Sequence, residues 1–170
     1  MYDPTIFENL KVALENQIYD LDNIDGRISI LNREDIMDFS VLSRRLTLQF
    51  SLINKPEVSA QVILSTDLED LAGEILEQEG KELGCHLSLR LYMAVNDIKG
   101  QCERIEQALN GIWENDIHIT QSISFLYKDE TNYRNTIEVQ FLPKINEENM
   151  NELPDFLESV LESLEILTDI

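Results

Sequence analysis

The chain has 170 residues, of which 43% are hydrophobic, and carries 33 acidic against 13 basic residues, a formal net charge of −20. A surface of this sign repels nucleic acid and anionic membranes, and a chain this apolar is not a disordered acidic tail. The length suits one domain, so we expect residues 1–170 to form a single α+β domain.

The first predicted element is a helix. Asp3 followed by Pro4 is typical of a helix start, and apolar residues then recur every three or four positions as far as Asp25 and Gly26. Segment 20–26 looks like a calcium-binding loop, but the acids required at the first and last loop positions are absent. We therefore interpret it as a helix end and a turn into a strand.

Three strands and a second helix are predicted next. Apolar and polar residues alternate over 27–36, 46–52 and 58–64, with a turn at Asn54, Lys55 and Pro56. Thr66 or Asp67 is expected to cap the helix, which should end near Gly80. Helical spacing predicts that its buried stripe consists of Leu68, Leu71, Ala72, Ile75 and Leu76.

The second half of the chain is again predicted to contain both strands and helices. It predicts a strand at 87–93, a helix from the cap Asn96 to Trp113, and a strand at 117–127 bent or bulged at Gln121. A loop over 129–135, a strand at 137–141 and a helix over 153–167 follow. Short links between successive strands indicate hairpins, so we predict a largely antiparallel sheet of five or six strands with acidic helices packed mainly on one face.

The negative charge is concentrated on the predicted helices. Segments 1–25, 67–82 and 146–170 carry net charges of −5, −6 and −8, and the last contains no Lys or Arg. A solvated helix face is one interpretation, and a surface that attracts a basic partner is the other. The residues predicted to bind such a partner are Glu69, Asp70, Glu77, Glu158, Glu162 and Glu165.

A second candidate surface is the polar side of the strands. An antiparallel sheet covered by helices on one face leaves its other face open to water. That face would be a wet surface, a binding or homodimer surface, or a small-ligand site. The candidate residues there are Arg45, His86, Arg90 and His118.

Motifs for catalysis, nucleotides or metals are not found in the sequence. Cys85, Cys102 and the two histidines lack the close pairing typical of a zinc site, so we expect no metal, no cofactor and no catalytic residues. The cysteines are interpreted as buried reduced thiols. Reduced thiols and an N-terminus unlike a signal peptide lead us to expect a cytoplasmic protein.

We therefore predict a non-enzymatic binding protein whose partner is a basic protein or peptide, not a nucleic acid or a membrane. In its order of elements and its acidity, the chain is similar in outline to type III secretion chaperone-like folds and to immunity proteins that neutralise basic nuclease toxins. Those resemblances imply a chaperone-like or immunity-like role. The alternatives are an enzyme or small-ligand binder that uses the polar sheet face, and a DNA mimic.

Overall fold

The structure, a computed structural model, describes residues 5–77, 83–114 and 117–170. Within them, four α-helices and six strands follow one another in the predicted order, so the predicted α+β class is confirmed. None of these helices is long and apolar enough to cross a bilayer. The elements are α1 Thr5–Asn23, β1 Ile28–Asp38, β2 Ser43–Leu52, β3 Lys55–Thr66, α2 Leu68–Ile75, β4 His86–Val95, α3 Ile98–Trp113, β5 Ile117–Leu126, β6 Asp129–Phe141 and α4 Leu153–Asp169, the last preceded by a 3-10 helix at Glu147–Glu152.

The strands form one sheet in the order β1-β2-β3-β4-β6-β5, and every neighbouring pair is antiparallel. Its two edges differ in character. Edge strand β1 carries Arg33, Glu34 and Asp35 and has an irregular register between Ile30 and Asn32. Edge strand β5 contains no Asp, Glu, Lys or Arg along its ten residues.

The core lies between the apolar side of the sheet and the helices. Leu48 and Phe50 of β2 are buried in the same cluster as Ile105 and Leu109 of α3. Helices α1 and α4 contribute residues three or four positions apart, because that spacing places side chains on one helix face. These residues are Phe7, Leu10, Leu14 and Ile18 of α1, and Leu157, Val160, Leu161 and Leu164 of α4.

Helix α2 presents a different face to the protein from the one that its apolar pattern predicts. Leu71 is buried, but Leu68, Ile75 and Leu76 are exposed, so most of the predicted stripe is wrong. Asp70 is buried in their place, with its carboxylate 2.7 Å from Lys144 Nζ. The observed orientation of α2 therefore fits the ion pair between Asp70 and Lys144 and does not fit the spacing of the apolar residues.

The observed ends of the helices agree with the predictions only in part. Asp67 caps α2 by accepting a hydrogen bond of 3.0 Å from the Asp70 backbone, and the helix ends at Ile75. The side chain of Asp97, not Asn96, caps α3. The predicted caps at Asp3 and Pro4 and the predicted end near Gly80 lie outside the described residues.

The β5–β6 hairpin is longer than predicted. Segment 129–135 is part of β6 and not a loop, because a two-residue turn at Tyr127 and Lys128 joins the strands directly. Lys128 has a φ of 71°, the positive value that such tight hairpin turns require. The register shift falls between Ser124 and Leu126, so the bulge predicted at Gln121 is wrong.

Gln121 occupies an apolar position in β5, where both its amide nitrogen and its amide oxygen are hydrogen-bonded. Its Nε2 donates to the Cys102 carbonyl at 2.9 Å, and its Oε1 accepts from Asn135 Nδ2 at 2.8 Å. Asn135 is completely buried. Since buried polar groups are costly unless bonded, this pair connects β5, β6 and α3 specifically.

Candidate functional site

The polar side chains of the sheet form regular rows across its second face. Residues directly opposite each other on antiparallel strands point to the same side, so the registers define these rows. Six strands about 4.8 Å apart give each row a width of roughly 24 Å. One complete row runs from β1 to β5 as Asn32, Gln49, Gln61, Arg90, Glu138 and Thr120.

The structure does not bring the predicted sheet-face residues together. His86 and His118 lie two strands and one row apart, about 12 Å by strand spacing. Arg45 and His86 lie on opposite sides of Ser65. Arg90 is 2.8 Å from Glu138 in an ion pair. A general acid or base must lie within hydrogen-bond reach of its partner, so these four residues do not form one catalytic group.

Two of the four acids of α1 pair with bases from the neighbouring strands. Glu8 lies 3.0 Å from Arg44, and Glu15 lies 2.6 Å from Arg33. These ion pairs offset part of the local net charge of −5 in the first acidic segment.

Helix α4 carries an exposed row of carboxylates, called here the acid row. Its members repeat at intervals of three, four, three and four residues, so they lie along one helix face for about 21 Å. Among the described residues, Arg27 is the base that pairs with it, through hydrogen bonds of 2.6 and 3.0 Å that lower the pKa of Glu158. The acid row consists of Asp155, Glu158, Glu162, Glu165 and Asp169.

The acids predicted on α2 do not form a comparable surface. Glu69 is exposed on the helix, and Glu77 is exposed just beyond its end. Asp70 is also predicted to bind a basic partner, but its side chain is buried and only 4% exposed. The hydrogen bond from Lys144 to Asp70 raises the pKa of Lys144, which therefore stays charged at neutral pH.

Sequence reasoning missed a cluster of Asp67, Asp70 and His86. One ligand atom from each lies within 4.8 Å of the others. Asp70 and His86 are 16 positions apart in the chain, and α2 together with the β3–β4 pairing brings them together. The available signal was an Asp-x-x-Asp pair at a helix start, followed by a histidine at the start of the next strand.

The prediction of two buried thiols is confirmed for Cys85 only. Both cysteines are free, but Cys85 is 1% exposed whereas Cys102 is half-buried. Burial, followed by the charges of Asp70 and Glu74, raises the pKa of Cys85 to about 12. Burial also raises the pKa of Cys102. Because the thiolate is the nucleophile, neither residue is activated at neutral pH.

No family model, no curated protein and no solved structure matches this chain. Function is therefore inferred from three features of the described residues. These are the acid row on α4, the polar sheet face, and the cluster of Asp67, Asp70 and His86.

Proposed function

We propose that this protein is a non-enzymatic binding protein that engages a basic protein or peptide in the cytoplasm through the acid row of α4. The observation that carries the proposal is the row itself, with five exposed carboxylates on one helix face and Arg27 as their one described counter-charge. Its role would be chaperone-like or immunity-like, since either holds a basic partner by charge complementarity.

The acid row is costly to the isolated protein, and this cost favours a partner. Like charges three or four residues apart on a helix repel by a few tenths of a kcal/mol per pair. Glu165 and Asp169 also lie near the helix C-terminus, where negative charge opposes the helix dipole. A basic partner would relieve both effects, and complementary charge would speed its association.

A groove beside the start of α4 offers an apolar anchor next to these charges. It encloses about 490 Å³ and is lined by Trp113, Phe141 and Phe156, with Asp155 of the acid row among its lining residues. The three aromatic rings contact one another, with centroids 5.1 to 5.6 Å apart. Interfaces commonly combine a central apolar pocket with a polar rim, so one partner could use both features.

The alternatives predict different outcomes. An enzyme using the polar sheet face would need catalytic groups in contact, but His86 on β4 and His118 on β5 have strand β6 between them. A DNA mimic would use the same acid row against a nucleic-acid-binding cleft. DNA would then compete with this protein for the partner, whereas it would not compete for another kind of basic protein.

The test uses paired charge reversals. E162K/E165K reverses two members of the acid row and spares Glu158, which is paired with Arg27. E103K/E106K makes the same change in net charge at exposed positions of α3 and serves as the matched control. Each protein captures partners from native lysate at low and high salt, and the captured protein is then purified and titrated against all three.

We expect wild type and E103K/E106K to bind with strong salt dependence and E162K/E165K to lose binding while its melting temperature is retained. Equal weakening by both variants would mean that net charge alone drives association. Wild-type binding by E162K/E165K, with loss of binding in R90A/H118A, would overturn the proposal in favour of the sheet face.

A further inference from the structure

The start of α2 and the start of β4 together enclose a group of metal-ligand atoms. Asp67 and Asp70 supply carboxylate oxygens, and His86 supplies an imidazole nitrogen, all within 4.8 Å of one another. One imidazole with two carboxylates is a donor set that suits Zn²⁺ and its first-row neighbours. Ca²⁺ and Mg²⁺ favour sites made of oxygen alone.

An independent observation points to a ligand at this place. Asp70 Oδ2 is buried and has no hydrogen-bond partner among the described residues, although the side chain is only 4% exposed. Lys144 satisfies the other oxygen, Oδ1, at 2.7 Å. His86 Nε2 lies 3.9 Å from Oδ2, too far for a hydrogen bond. A buried carboxylate oxygen left in this state costs free energy unless a cation or another donor reaches it.

We infer that Asp67, Asp70 and His86 bind a divalent first-row transition-metal ion, with Zn²⁺ as the best match. This site is independent of the acid row. Lys144 remains outside the coordination sphere and holds Asp70 Oδ1, which leaves Oδ2 directed at the ion. Three protein ligands leave a fourth position of a tetrahedral Zn²⁺ site for water.

The required rearrangement is small. Ligand atoms bound to a tetrahedral Zn²⁺ at about 2.0–2.1 Å are roughly 3.4 Å apart, whereas the three atoms here are separated by up to 4.8 Å. His86 is 50% exposed and can turn toward Asp70 without disturbing the core. Asp67 uses Oδ1 to cap the helix, so its second oxygen is the one that would bind the ion.

The test measures Zn²⁺ and Mn²⁺ binding by isothermal titration and equilibrium dialysis after treatment with a chelator. The probe proteins are wild type, D70N and H86A. H118A is the matched control, because His118 is the other exposed histidine of the same sheet face. A C85S/C102S variant separates this site from binding by the thiols. H86A alters an exposed side chain and so remains informative if D70N folds poorly.

We expect wild type, H118A and C85S/C102S to bind one Zn²⁺ each, and H86A and D70N to bind at least about tenfold more weakly. Binding by H86A equal to that of wild type would overturn the site. So would loss of binding in C85S/C102S, or failure of wild type to retain Zn²⁺ in dialysis. In that last case water or another hydrogen-bond donor would satisfy Asp70 Oδ2.

Discussion

Replacing Lys144 by methionine should destabilise the protein by about 2–3 kcal/mol. Removing one partner of a buried ion pair typically costs about 3–5 kcal/mol, because the other charge is left buried and unpaired. Asp70 is 4% exposed, but Lys144 is 27% exposed, so water can partly replace the ammonium group and the cost falls to about 2–3 kcal/mol. For a chain of this size, that loss lowers the melting temperature by roughly 4–12 °C.

The measurement is urea unfolding at pH 7 of wild type, K144M, D70N and the double variant D70N/K144M. Lys144 has a raised pKa, so its contribution is complete below its unfolded value of 10.5 and is lost only as pH rises through the folded pKa. At pH 7 Lys144 is therefore charged. The double variant should be more stable than K144M, because it no longer buries an unpaired carboxylate.

The control is K99M, which removes an exposed lysine at the start of α3 and should change stability little. Unfolding of K144M at the same urea concentration as K99M would contradict this expectation. Additive destabilisation in D70N/K144M would also contradict it, since that would mean that Asp70 and Lys144 do not interact.

Two further predictions concern other polar contacts. Burial alone would raise the pKa of Asp35, but hydrogen bonds from Lys11 and Arg44 outweigh it and lower the pKa below 3.8. The stability difference between wild type and D35N should therefore be constant above about pH 4 and shrink as pH falls through the folded pKa, and a difference that persists in acid would contradict this. N135L should cost about 1–3 kcal/mol in urea unfolding by leaving the Gln121 amide without its partner, whereas Q121L/N135L should cost less than the two single changes together. Additive losses would show that the two amides are not coupled.

The order of the helices and strands was predictable because it depends on local periodicity. The apolar residues of α1 and α4 follow the 3.6-residue repeat, and the structure buries them against the sheet. The face of α2 was not predictable, since eight residues contain little more than two turns and the Asp70–Lys144 ion pair comes from a residue 74 positions away. The start of β6 was missed because residues 129–135 are polar, although hairpin pairing with β5 makes them a strand.

The two candidate sites also differ in whether they depend on local spacing or on contacts between distant parts of the chain. The acid row is visible in the sequence because its members lie on one helix at regular spacing. The cluster of Asp67, Asp70 and His86 depends on strand pairing and on the orientation of α2, which the sequence pattern did not give. Crowded acids would by themselves raise carboxyl pKa values. Asp35 and Glu158 shift downward instead, because distant parts of the fold supply them with basic partners.

The difference between the two sheet edges has a consequence for colloidal behaviour. At neutral pH a net charge of −20 keeps copies of the molecule apart by long-range repulsion. Near the isoelectric point of about 4.2 that repulsion disappears, and short-range contacts decide which surfaces adhere. Charged, irregular β1 resists edge-to-edge pairing, whereas β5 offers a ten-residue backbone edge that contains no Asp, Glu, Lys or Arg. Acid precipitation of this protein should therefore grow from β5, and a single lysine in the middle of that strand should increase its solubility there.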